Sequence, residues 1–515
     1  MRATFFVTVL LWSSLLLAQD AVINVKEFSV EGPNPLSASA TQRILAPFLG
    51  KHTDLERLSE ATKALELAIR GQGLSFYRVV LPPQILANEV IRMAVVRFNV
   101  GAVKISGNIF FSEENIRLTL PQLREGESPN TKALSRALAV ANNNPSKRTS
   151  LTFAWGDQKR GVIAEIKVRD KRPHQTFAWS NNTGNESSGD TRLGIGFRHD
   201  NVMNRDHQMS LTFTTSLEKT EDVKQFGVNY KIPIYQLAGA LDLFAVKSDI
   251  DTGIVAEFFD VSASGEFYGG RYTQVLDKIG IYRHKLMLEL NDKLFDNEVD
   301  FSGTPIGIDV RSRPASLQYS GDWNAEKLSG SFYGGYHRNI SGGSYNDLSS
   351  YASTRSGADD NWWVIRVGGE AKYTLPKAFL ISVKMDAQYG EEPLIPGEQF
   401  GLGGLYSLRG FEEREVTGDR GYRANVEVWS PALRYQTRLG AFVDIGRGKR
   451  IDALPGEVVS ETLVSAGFAM TWMWARRLSA GLYYGHVING VSEAIPDRTR
   501  DGDDKLHFNL LYRIH

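Results

Sequence analysis

Two spacings of apolar residues divide this chain near position 172. Before it, alternating runs are interleaved with runs whose apolar residues recur at intervals of three and four. INVKEFSVEG alternates as a strand does, while TQRILAPFL and LERLSEATKALELAIRGQG carry the spacing of amphipathic helices, the second closed by Gly71 and Gly73. FYRVVLPPQ and VIRMAVVRFNVG return to strand character. The order strand, helix, helix, strand, strand then recurs through VGAVKISGN, SEENIRLTL, TKALSRALAVANNN, RTSLTFAWG and GVIAEIKVRD. Residues 22–98 and 99–171 are therefore read as two copies of one α+β unit of about 75 residues.

From 172 to 515 the helical spacing vanishes, and sixteen alternating segments follow one another between turn residues. Among them are FDVSASGEFY (259–268), KIGIYRHKLMLEL (278–290), GYRANVEVWSP and YQTRLGAFVDIG. Short connections such as PIYQL, LPK and ARR interleave with long ones at 291–312, 339–360, 390–420 and 489–504. This asymmetry and the even count predict a transmembrane antiparallel β-barrel of sixteen strands with both ends on its short-turn side. Seven of the nine tryptophans lie at or after Trp179, as aromatic girdles would require. A soluble all-β sandwich or propeller would alternate too, but has no reason for the loop asymmetry.

The first eighteen residues, MRATFFVTVLLWSSLLLA, read as a secretory signal cleaved near Ala18. No later window approaches the ~20 apolar residues of a membrane helix, so a membrane location requires a barrel. Lys plus Arg and Asp plus Glu both number 59, and this neutrality removes the usual argument for nucleic-acid binding. Cysteine is absent, so no thiolate site or cysteine nucleophile exists. No GxSxG, HExxH or phosphate-loop pattern occurs, and no enzyme activity, cofactor or metal is expected. DRTRDGDDK (497–505) has the start of a calcium loop but reaches Phe508 where the bidentate glutamate belongs, and reads as a solvated loop.

Chemistry concentrates between Gly401 and Asp444. GLGGLYSLRGFEEREVTGDRGY isolates Arg409 in a glycine-rich loop between the eleventh and twelfth strands, and AFVDIG isolates Asp444 in the thirteenth. By period two, Asp444 shares a face with Phe442, and lipid penalises a carboxylate, so that face is the lumen. An ion away from water needs a partner. For Arg409 to be that partner, its long outer loop must fold back into the barrel. Spacing alone leaves open the other reading, an exposed loop arginine and an ordinary lumen aspartate.

GLGGLYSLRGF, GDRGY followed by Glu427, FVDIG, and the LPPQ of Leu81, Pro82, Pro83 and Gln84 resemble the outer-membrane transporters of two-partner secretion, the FhaC/ShlB/CdiB (TpsB) family of the outer-membrane assembly superfamily. The resemblance covers essentially the whole mature chain. It implies that the two α+β units are periplasmic POTRA domains. It further implies that Arg409, with Leu408, Gly410 and Phe411 of its loop motif, pairs with Asp444 of the strand motif that contains Phe442 and Gly446. Gly418, Asp419, Gly421 and Glu427 complete the family residues. A lumen pair of this kind is expected to be partly solvated.

Three departures stand out. Only about four residues separate the cleavage site from the strand at Ile23, so a plug helix is not expected. Arg97-Phe98 replaces an acidic-Gly pair at the domain junction, and the chain ends on Tyr512-Arg513-Ile514-His515 rather than on an aromatic residue. Phe508, Leu510, Tyr512 and Ile514 still alternate, so His515 reads as an overhang.

The function implied by the resemblance is recognition and export of a large β-helical client such as a haemolysin, adhesin or contact-dependent toxin, with activation left open. The client would add to POTRA strand edges, cross the lumen and fold outside, which gives the process direction without a nucleotide site. The implied surroundings are outer-membrane lipid and the barrel-assembly machinery that inserts the chain. A barrel-assembly insertase of the same superfamily is the alternative, and a passive porin a more remote one.

Overall fold

In a computed structural model, the described residues are 23–514 apart from 53–54, 86–88, 157–160, 186–187, 222, 250–252, 256–258, 262–263, 297–298, 302–303, 307–308, 456 and 493–497. The signal segment, the room for a plug helix ahead of Ile23, Asp497 of the calcium-like run and the His515 overhang all fall outside them.

The first compact unit takes the chain to Val103, with 123–132 and 153–164. In it, Val90–Arg97 is the middle strand of three, parallel to Glu27–Glu31 and antiparallel to Tyr77–Val80. The helix Glu56–Gly71 packs Ala61, Leu65 and Ile69 onto Tyr77, Val79, Met93 and Val95, the face that its three-and-four spacing sets. A second sheet of the same size orders Asn99–Ser106, Gly161–Asp170 and Lys147–Trp155, with helices Glu113–Leu118 and Thr131–Ala141.

The second unit takes 104–122, 133–152 and 165–515, and most of it is a closed antiparallel barrel. Numbered within the barrel, the strands are β1 His174–Asn181, β2 Arg192–Val202, β3 His207–Ser216, β4 Lys224–Ile234, β5 Gly239–Ser248, β6 Gly265–Val275 and β7 Arg283–Phe295. They continue as β8 Val310–Ser312 with Pro314–Asn324, β9 Leu328–Asn339, β10 Trp363–Thr374, β11 Leu380–Tyr389 and β12 Arg420–Trp429. The last are β13 Arg438–Lys449, β14 Ser460–Trp474, β15 Leu478–Asn489 and β16 Asp504–Arg513, which pairs back onto β1. Both pieces of β8 pair with β7, and the break falls where Pro314 has no N–H to give the ladder. The count is thus sixteen.

Alternation separates the two faces. In β13 the even positions Phe442 and Asp444 are buried while Leu439, Val443 and Ile445 are exposed, the inside-out arrangement of a strand between lipid and lumen. Two segments depart from expectation. β6 runs over 265–275 rather than 259–268, and β7 continues to Phe295, so the long connection does not begin at 291. The charged residues that suggested loop at these ends instead pair across the lumen face, as Arg271 does with Glu289 and Lys293 with Glu398. The tryptophans are not all girdle residues. Trp362 is wholly buried with Tyr351 in the core of the outer loops, and Trp179 faces the lumen cavity.

Within the same unit, the strand that begins at Lys147 is anchored to the β2–β3 turn. The Lys147 ammonium is fully buried 2.5 Å from Asp206 and 3.1 Å from the side-chain Oδ1 of Asn115. Burial pushes its pKa down, against the pull of Asp206.

Candidate functional site

The connection between β11 and β12 does not stand out from the barrel. It opens as a short hairpin, Phe400–Leu402 against Val416–Gly418, and its tip turns at Gly403, Gly404 and Gly410, whose φ values of +107°, +99° and +97° a side chain would resist. One side of this hairpin is apolar. Leu402, Leu408, Phe411 and Val416 pack onto Leu463, Val487 and Val491, so the loop has a core of its own against the wall. Where the loop returns to β12, added Cβ atoms at Gly418 and Gly421 would meet the Lys449 nitrogen at 2.6 Å and the Arg447 carbonyl at 2.5 Å, which accounts for both glycines of GDRGY.

Five consecutive strands each supply a group to the tip. From β13, Asp444 accepts the Arg409 backbone N–H (3.0 Å) and Nε–H (2.8 Å) on Oδ2 and the Nη2–H (2.7 Å) on Oδ1. From β12, Glu427 accepts Nη1–H at 2.7 Å, and Asn425 donates to Asp444 at 2.9 Å and to the Ser407 carbonyl at 2.7 Å. The guanidinium carbon lies 3.6 Å from the centre of the Phe442 ring, a stacked contact that only a planar cation makes well. From β14, Ser465 donates its hydroxyl to the Arg409 carbonyl. From β16, the Nε2 of His507 accepts the Gly410 N–H at 3.0 Å, which requires an unprotonated Nε2. β15 supplies the absence of a side chain at Gly485, where a Cβ would sit 2.6 Å from the Gly410 nitrogen.

The expectation of a partly solvated pair is overturned. Asp444 is 0 % and Arg409 4 % exposed, because the loop's apolar face excludes water from the contact. Gly446 belongs to the same trough, since Leu402 and Leu408 lie over it.

Asp419 serves a second cluster. It is fully buried and is held by Arg355 of the β9–β10 connection, with the second Nη at 2.9 Å, and by the backbone N–H groups of Leu394 (2.9 Å) and Ile451 (2.6 Å). It therefore ties three outer loops together. Arg355→Met strands that carboxylate and is expected to cost about 3 kcal/mol. The temperature at which the barrel loses its folded electrophoretic mobility should drop, and an unchanged temperature would remove Asp419 from the stabilising set. LPPQ lies in the first unit. Leu81 joins the core there, and the Gln84 amide brackets the Arg92 backbone at 2.9 and 2.8 Å, extending a sheet edge by a side chain.

Sequence reasoning did not single out Asn425, Ser465, Gly485, His507 or Arg355. Period-two parity with Glu427 marks Asn425 as lumen-facing, but the others need the register of strands distant in sequence. Among the described residues no group of His, Cys, Asp or Glu could hold a metal.

Residues 162–470 match the family model described as haemolysin secretion/activation protein ShlB/FhaC/HecB, and residues 23–97 match the POTRA domain of ShlB type. The heme/hemopexin transporter protein HuxB of Haemophilus influenzae is 19% identical over 422 residues, covering 79% of this chain and 72% of that protein. The outer membrane transporter CdiB of Dickeya dadantii is 20% identical over 404 residues, covering 76% and 69%. Among solved structures, CdiB from Escherichia coli superposes with a TM-score of 0.73 at 15% identity over 99% of this chain and 93% of that one, which is a likeness of fold.

Proposed function

We propose, for a chain that belongs to the ShlB/FhaC/HecB family of haemolysin secretion/activation proteins, a protein-secreting pore controlled by its inward loop. The chain sits in the outer membrane with its POTRA part in the periplasm, and it exports a partner protein. The client in this reading is a large β-helical protein, it is moved without any reaction catalysed, and lipid and the barrel-assembly machinery are the chain's other partners. The first POTRA domain takes 22–98, the second 99–171 and the barrel 172–515.

One observation carries the reading. A loop long enough to reach solvent is held inside the lumen by a buried Arg409 with two carboxylate partners, an arrangement that a passive porin does not need. Leu408, Gly410 and Phe411 shape the loop tip, while Phe442, Gly446 and Glu427 form its seat. The loop then acts as a two-position element whose docked state the ion pair sets.

Co-expression with the β-helical protein encoded nearest to this chain is expected to deliver that protein to the medium, and deletion of the chain to retain it in the periplasm. If deletion instead lowers the abundance of other outer-membrane barrels while the client still appears outside, the chain is an insertase and this reading is wrong.

A further inference from the structure

The chain is neutral overall, but its open lumen is not. Beside the docked loop lies a cavity of about 1540 Å³, and among the described residues that line it eleven are Lys or Arg and three are Asp or Glu. Two of those carboxylates are already engaged. Asp386 holds Arg423 at 3.0 Å, and Glu398 holds Lys293 at 3.0 Å and Arg366 at 3.4 Å. The third, Glu413, accepts the Leu405 N–H at 2.7 Å. Lys171, Arg192, Arg438, Arg476 and Arg513 line the same cavity without a carboxylate at salt-bridge distance among the described residues.

Four of these five gather at the short-turn end. Lys171 stands just ahead of β1, Arg438 opens β13, Arg476 sits in the β14–β15 turn, and Arg513 closes β16 with its N–H on the Arg477 carbonyl at 2.8 Å. Like charges placed around a mouth bounded by low-dielectric walls focus their field into the opening, attract anions and repel cations. Arginine keeps its charge at any working pH, and its fork binds carboxylates in pairs.

We infer that the lumen is a cation-lined passage built for an acid-rich extended polypeptide, so that the segment of the client that first threads the pore carries an excess of Asp and Glu. Its carboxylates would be captured at the short-turn mouth by Arg438, Arg476, Arg513 and Lys171 and handed toward the Arg366–Lys293 side. Contacts with these partly hydrated arginines are individually weak and exchangeable, which a moving chain needs. The identity of the occupant rests on the secretion reading, whereas the lumen's charge does not.

The test uses the purified full chain in planar bilayers under a potassium chloride gradient. The reversal potential is expected to show chloride preferred over potassium by about threefold or more. The triple variant Arg438→Gln, Arg476→Gln, Arg513→Gln should bring that ratio toward parity, and Lys171→Gln, ahead of the barrel, should lower it by itself should the triple variant not assemble. Polyglutamate on the short-turn side should block the current at concentrations where polylysine does not. Potassium selectivity, parity in the unmodified chain, or block by polylysine at equal concentration overturns the inference. Chloride preference combined with failure to export any client overturns the secretion reading instead, so the two failures are distinguishable.

Discussion

Arg409→Ala is expected to lower export of the client at least tenfold while the barrel still assembles. The substitution removes the fork onto both oxygens of Asp444, the bond to Glu427 and the stack on Phe442. It also leaves Asp444, at 0 % exposure, with only Asn425 and the residue 409 backbone N–H as donors. Stranding a buried charge costs roughly 3–5 kcal/mol, more than the pair itself contributes. A shift of that size moves a docked loop to a largely undocked one, since each 1.4 kcal/mol is about tenfold in population. The ladder bonds of the wall are untouched, so heat-modifiable mobility should be retained. Arg409→Lys should rescue little, because one ammonium cannot span Asp444 and Glu427 while stacking on Phe442. Removing both Arg409 and Asp444 should hurt less than removing Arg409 alone. Client in the medium at the unmodified level with Arg409→Ala would end the assignment of the pair to secretion.

Gly485→Ala is expected to have an effect of the same order through sterics alone. The new Cβ would meet the Gly410 nitrogen at 2.6 Å, the Gly410 Cα at 2.7 Å and the Arg409 carbonyl carbon at 2.9 Å. All three are backbone atoms of a tip already held on both sides, so nothing can rotate away and the tip must lift off Asp444 and His507. Gly446→Ala provides the comparison. Its Cβ would meet the methyl ends of Leu402 at 2.8 Å and Leu408 at 3.1 Å, which can move, and it should be milder. Limited proteolysis would report an undocked loop as new cleavage between 403 and 415, alongside the secretion assay. Normal export together with an uncut loop in Gly485→Ala would show that the tip does not need this contact.

Much of the architecture could be read from the chain because a period of two runs through long stretches of the barrel, as in β13, and because turn residues punctuate it. Where reading failed, side-chain polarity misled it. Asp292 and Lys293 look like loop, yet both lie in β7, where Lys293 reaches Glu398 on the lumen face and Asp292, on the opposite face, takes Arg313. Arg271 did the same for β6. Trp362 looks like a girdle residue but fills the core under the outer loops.

The candidate site divides in the same way. Arg409 and Asp444 stand out in the sequence because each is an isolated charge in apolar or glycine-rich surroundings, and Glu427 follows from its family motif. Ser465, Gly485 and His507 carry no such mark. A serine, a glycine and a histidine in three successive strands are unremarkable until closure of the barrel brings β14, β15 and β16 beside a loop that precedes β12.

What the amino-acid order alone determined is which residues share a face, how many strands there are and which loops are long, since these depend only on local alternation and chain length. It also singled out the two charges that need partners. That the pair is dry was decided only by the tertiary structure, because burial depends on the apolar side of the loop meeting Leu463 and Val487 from strands later in the chain. The surplus of positive charge in the open lumen was decided there too. A chain with equal numbers of acids and bases acquires a charged passage only when folding spends most of the lumen carboxylates in ion pairs and leaves arginines facing the opening.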